Sequence, residues 1–229
     1  MPALEPGPVL ATACLAEHEP EDPTAPPSTS ETNLVDWHLL EHTGLRKAQE
    51  DRLPLFERTR SFRSYSPGLI PGLLQTHAYT EDVLRAVQRR RVAVDDVADA
   101  VAARMERQHV LHQGGRQFAF LVEEPVLRNA LGGRDAQLEQ LDRLLSIESL
   151  PHITLGVLPV RLSRARMPVE GFWIFDDAQV NVELVSGYLT LTQPGDVTAY
   201  AASFADLTES AVHGAEAQAL IGAAMNALG

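Results

Sequence analysis

Apolar positions recur along the chain at two spacings, and the switches between them mark out its elements. From Leu34 to about Leu53, the residues Leu34, Trp37, Leu40 and Leu45 fall at roughly helical intervals and Pro54 closes the run, which predicts one or two short helices. Phe62-Arg63-Ser64-Tyr65 reads as an extended connector, turned by Ser66-Pro67-Gly68. Pro71 to Thr76 then leads into a helix ending near Arg89. Val94, Val97, Val101, Met105 and Val110 or Leu111 make an amphipathic stripe reaching about His112. Asp95 and Asp96 stand where the dipole of that helix favours negative charge, and Gly114-Gly115 stops it.

Phe118 to Val122 is a short continuous apolar run, as in a buried strand, and Glu123-Glu124-Pro125 opens a brief helix after it. Leu138, Leu141, Leu144 and Leu145 predict a helix over 134–149, and the alternation from His152 to Leu158 a strand closed by Pro159. Phe172 to Phe175, Val180 to Val185 and Tyr188 to Leu191 read as three further strands. A helix from about Pro194 to Ser210 and another after Gly214 finish the chain. The pattern describes an α+β fold. It has a small sheet of about five strands with helices packed on it, a helix-rich N-terminal half and two C-terminal helices. Regular βαβ alternation is missing from this order, so a doubly wound nucleotide-binding sheet is not expected, and no fixed-period repeat suggests a solenoid.

Composition adds an acidic tail. The formal net charge is −12. Residues 1–33 hold seven of the fifteen prolines, and residues 1–36 hold seven acidic groups with no Lys or Arg. Such a segment buries too little apolar surface to offset its chain entropy. The expected organisation is therefore a disordered tail over 1–33 and one sensing or ligand-binding domain over 34–229. Without the seven acidic groups of residues 1–36, 24 carboxylates face 19 cations, a net −5. An acidic surface repels phosphate backbones, so no nucleic acid is expected as a partner. The single cysteine, Cys14, fits a reducing compartment, and no Lys or Arg precedes the apolar stretch Val9 to Ala16, as a signal peptide would require. No run approaches the roughly 18 apolar residues of a membrane span. A cytoplasmic protein without membrane contact is the expectation.

Chemistry-bearing motifs are sparse. No metalloprotease, thiol-pair, nucleophile-elbow or phosphate-loop pattern occurs. Glu106, His109 and His112 share a helix face, yet two histidines leave a zinc site short of ligands, so no metal and no cofactor is expected. Glu123 and Glu124 follow a buried strand, where a carboxylate either starts a helix or, desolvated at a pocket mouth, serves acid–base catalysis. In Val180 to Val185, alternation puts Glu183 and Asn181 opposite Val180 and Val182. If that face lines a cavity, Glu183 with Phe172 and Trp173 offers a carboxylate and an aromatic wall. Arg161, Arg164 and Arg166 fall in one loop, able to clamp an anion or simply solvated. The expected ligand site lies between these strands and the segment Pro71 to Thr76. Trp173, Glu183, Phe172, Gln75 and Arg164 are its candidates, with Glu123 or Glu124 at its rim.

Leu69-Ile70-Pro71-Gly72-Leu73-Leu74-Gln75-Thr76, followed by Ala78-Tyr79, resembles the "PGLLQT..Y" opening of an actinobacterial domain of unknown function. That domain usually stands C-terminal to an XRE-type helix-turn-helix in transcriptional regulators. Arg104 to Gln108 is similar to its "R..RQ" helix, Glu123 to Arg128 to its "E..L" strand exit, and Leu131-Gly132-Gly133 to its glycine pair. Gln140-Leu141, Ile153 to Pro159, Gly171-Phe172 and Val182-Glu183 continue the match, over roughly four fifths of the chain. The resemblance implies sensing of a small molecule or a small partner protein. Residues 1–33 are too short and too proline-rich for the DNA-binding headpiece, so a sensor without DNA binding of its own is expected, with homo-oligomerisation left open. The alternative is a cofactor-independent acid–base enzyme of specialised metabolism, a cyclase, isomerase or lyase, with Glu123 and Glu124 as its catalytic pair.

Overall fold

Strand β2 (Ser61–Ser66), a connector by its sequence pattern, runs through the middle of the sheet in the computed structural model, which describes residues 33–161 and 167–228. Phe62, Ser64 and Tyr65 are all at most 1% exposed, so both faces of the strand are covered. Its neighbours are β3 (Gln117–Glu123), parallel, and β5 (Phe172–Phe175), antiparallel. Beyond β3 lie β4 (Ile153–Leu158), parallel, and the two-residue edge strand β8 (Val212–His213). Beyond β5 lie β6 (Gln179–Glu183), β7 (Gly187–Leu191) and the edge strand β1 (Asn33–Asp36), all antiparallel.

The described residues thus form one mixed sheet of eight strands, ordered β1-β7-β6-β5-β2-β3-β4-β8, where about five were expected. The three additional strands are β1, β2 and β8. None alternates cleanly, because each owes its pairing to a neighbour rather than to its own apolar periodicity. The centre β2-β3-β4 is parallel, with helical crossovers on both sides of β3, so two βαβ units sit within a mixed α/β fold. The expected tail lies outside the described residues except for Asn33, and Glu31–Gly229 forms one compact unit.

Helices cover both faces. On one face α3 (Leu53–Arg58), α4 (His77–Arg91), α7 (Arg134–Glu148) and α9 (Ala215–Leu228) bury Phe56, Tyr79, Leu141, Leu144 and Ile221 against Phe62, Phe118, Phe120 and Val157. On the other, α8 (Pro194–Ser210) packs Val197, Phe204 and Leu207 on Tyr65, Leu121, Phe172, Ile174 and Val182. A satellite core joins α2 (Leu45–Glu50), α4 and α5 (Val97–Arg107) through Leu45, Leu84, Val97, Ala100 and Val101. The short α1 (Trp37–Glu41) starts where the Asp36 carboxylate accepts the His38 amide, so the apolar spacing from Leu34 breaks into strand, then helix. The brief α6 (Glu124–Arg128) follows β3 at once.

Candidate functional site

Between the N-terminal helices and the sheet lies a cavity of about 330 Å³. Phe56, Leu45, Val83, Leu84, Val87, Ile70, Leu73 and Trp173 give it apolar walls, and Pro71, Gly72 and Gln75 place the loop after β2 along its side. Pairing of β5 with β6 sets Trp173 opposite Asn181, so Trp173, Asn181 and Glu183 share the sheet face that the cavity meets. Trp173 stacks at 15° to Phe175 with centroids 5.9 Å apart and meets Phe56 and Phe120 edge-on. Its indole is therefore both cavity wall and core.

Three guanidinium groups reach the same cavity. Arg107, 4% exposed, lies with its Cζ 4.8 Å from the Phe56 ring centre and donates to the backbone and side-chain oxygens of Gln49. Arg104, one turn earlier on α5, donates to Gln49 Oε1 and, over 3.1 Å, to Gln75 Oε1. Arg52 donates to Glu183 Oε1 over 2.9 Å and stands 4.7 Å over the Tyr188 ring. Loss of water and the neighbouring Arg52 lower the Arg104 pKa to about 10. Burial, then Arg104 and Arg52, push Arg107 well below the usual arginine range. Burial also opposes the Arg52 cation, but Tyr188 and Glu183 outweigh it and hold its pKa above the ordinary value.

A buried polar network fastens this floor to the loop after β2. Gln75 Nε2 donates to Ile70 O, while its Oε1 accepts from Thr80 and Arg104. Gln108 Nε2 donates to Gly72 O and Gln75 O, and Gln140 accepts from Thr76 N while donating to Leu74 O. The motif residues thus satisfy the backbone of a loop too irregular to satisfy itself.

The sequence candidates are distributed unevenly. Trp173, Glu183 and Gln75 line the cavity; Phe172 borders it, but its ring packs on the opposite sheet face against Tyr65, Tyr200 and Phe204. Glu123 and Glu124 are not part of the lining. Glu123 is buried and accepts from Tyr65 Oη over 2.8 Å, and Glu124 accepts from the Val160 amide and pairs with Arg128. Arg164 and Arg166 lie outside the described residues, and Arg161 is exposed. Arg52, Arg104 and Arg107 were not site candidates. A signal existed for two of them: Val97, Ala100 and Val101 continue at helical spacing into Arg104 and Arg107, so both cations sit on the buried stripe of α5. Among the described residues, no group of three or more His, Cys, Asp or Glu side chains is placed to hold a metal ion, and no helix is long and apolar enough to cross a membrane.

Residues 53–223 match the family model described as "Domain of unknown function (DUF5753)". No curated protein matches the chain. Among solved structures, TrmBL2, an archaeal chromatin protein described with a novel mode of DNA binding, is 11% identical, with 80% of this chain and 55% of that chain covered and a TM-score of 0.40. NucT from Helicobacter pylori is 13% identical, with 80% and 99% covered and a TM-score of 0.44. Nuc from Salmonella typhimurium, a phospholipase D family member, is 11% identical, with 73% and 90% covered and a TM-score of 0.39. The chain spans about half the length of the chromatin protein's chain.

Proposed function

The chain belongs to the DUF5753 family, and from the cavity we propose that it is a sensing domain that binds a small molecule between the sheet and its N-terminal helices. The observation that carries this reading is the convergence of three guanidiniums, two carboxylates and three amide side chains on one apolar-walled cavity. Glu41, Gln49, Gln75, Arg107 and Asn181 are withdrawn from water, and a few buried polar groups converging on an apolar-walled cavity are what orients a ligand. Loop and helix meet at Gln75 and Arg104, so a ligand touching either shifts both, which suits passing a signal to a small partner protein in the cytoplasm. The acidic balance of the chain supports a sensor without duplex DNA as its own partner. The acid–base alternative has no observation in its favour, since Glu123 and Glu124 are engaged away from the cavity lining.

The test is equilibrium dialysis of the protein and of a cavity-filling variant, Val87→Trp, against pooled cellular small molecules, followed by mass spectrometry. Compounds retained by the native chain and lost from the variant support the reading; identical profiles overturn it. A sequence-specific duplex-DNA shift at nanomolar protein and physiological salt would separately refute the absence of DNA binding.

A further inference from the structure

Resting on that reading, we propose that the cavity selects a monoanionic ligand, an organic carboxylate with an aromatic or alicyclic body, and that Arg104 and Arg107 receive its charged group. The first argument is charge. Among the described residues, Arg52, Arg104 and Arg107 line the cavity with Glu41 and Glu183, leaving one formal positive charge in excess. A carboxylate balances that excess, a neutral ligand leaves it uncompensated, and a phosphate dianion reverses it.

The second argument is donor capacity. The hydrogen bonds of Arg104 and Arg107 go to neutral oxygens of Gln49 and Gln75, and the buried Nε of Arg107 has no hydrogen-bond partner among the described residues. A guanidinium presents its donors as a planar fork that matches a carboxylate. The repulsion among the three cations, which with burial depresses Arg104 and Arg107, is relieved by an anion between them. The third argument is shape: Phe56 and Trp173 are among the residues that line the cavity, and its volume of about 330 Å³ suits a small bicyclic body better than a nucleotide.

The experiment uses the full chain with 8-anilinonaphthalene-1-sulfonate, a fluorescent monoanion, and competes it with 1-naphthoate, 1-naphthamide and 1-naphthyl phosphate, which share one body and differ in charge. Naphthoate should displace the dye at a concentration roughly tenfold or more below that of the amide, the worth of one charge-assisted hydrogen bond, and should also act below the phosphate. Val87→Trp should abolish the competition. Glu183→Gln, a change at an exposed side chain that spares the core, should tighten naphthoate by roughly fivefold through the removed negative charge. Arg104→Gln should erase the preference for acid over amide.

Equal displacement by acid and amide that is still lost in Val87→Trp would overturn the anion proposal and leave the cavity reading standing. Displacement unaffected by Val87→Trp would overturn both. No dye binding, or tighter binding of the phosphate than of naphthoate, would also overturn the monoanion claim.

Discussion

Arg104 Nη1 donates to Gln75 Oε1 over 3.1 Å, joining the helix that carries the cavity's cations to the loop that carries its family motif. Gln75 is 2% exposed and uses both ends of its amide, accepting from Thr80 and donating to Ile70 O as well. Gln75→Leu keeps the approximate volume but strands three partners. It should cost about 2–4 kcal/mol, because each buried group left unsatisfied carries its own desolvation penalty. Urea denaturation at an unchanged slope would measure this; a loss below the error of the extrapolation would show that water replaces the amide.

Gly44 and Asp96 are coupled in the same way across two helices. Asp96 accepts from the amides of Leu45 and Arg46 and so caps α2 from the start of α5. Gly44 has φ +110°, and a Cβ there would lie 2.3 Å from Asp96 Oδ2. Asp96→Ala should cost about 1 kcal/mol as a lost cap. Gly44→Ala should cost more, through backbone strain of about 1–3 kcal/mol together with the clash. In the Asp96→Ala background the clash is gone, so the two losses should sum to more than the double variant shows. Strict additivity in a thermal double-mutant cycle would refute the coupling.

Trp173→Ala should both enlarge the cavity and weaken the core, by about 3 kcal/mol, since the indole packs on Phe56, Phe120 and Phe175. Trp173→Phe should recover most of that stability. A full-stability Trp173→Ala would mean that the ring serves the cavity alone.

Alkaline titration should expose the tyrosines. Burial raises Tyr79 and Tyr188, and burial with the hydrogen bond to Glu170 raises Tyr200, whereas an unfolded chain releases phenolic protons near pH ~10. The folded state then holds protons that the unfolded state has lost, so this part of the stability is present below pH ~10 and disappears as pH rises above it. Absorbance at 295 nm should lag the free-tyrosine curve and rise together with loss of circular dichroism. Reversible ionisation of all tyrosines near pH ~10 without unfolding would contradict it.

Periodicity alone located β3 to β7, the helices α4, α5 and α7, and the last two helices, since each buries one continuous or alternating apolar face that any reader of spacing can find. Alternation also picked out Glu183, whereas Trp173 entered as a supposed aromatic wall and Gln75 with the motif segment Pro71 to Thr76; all three line one cavity. Periodicity did not reveal that Ser61–Ser66 is central, because Ser64 and Arg63 look polar until β3 and β5 are set on either side. Nor did it select Arg52, Arg104 and Arg107, which as isolated side chains resemble solvated helix cations. Local spacing records which face of an element is apolar, and that is a property of a few neighbouring residues. Which elements lie side by side, and so whether a charged group meets water or a cavity, depends on contacts between segments distant in sequence, and only the assembled tertiary structure decides them.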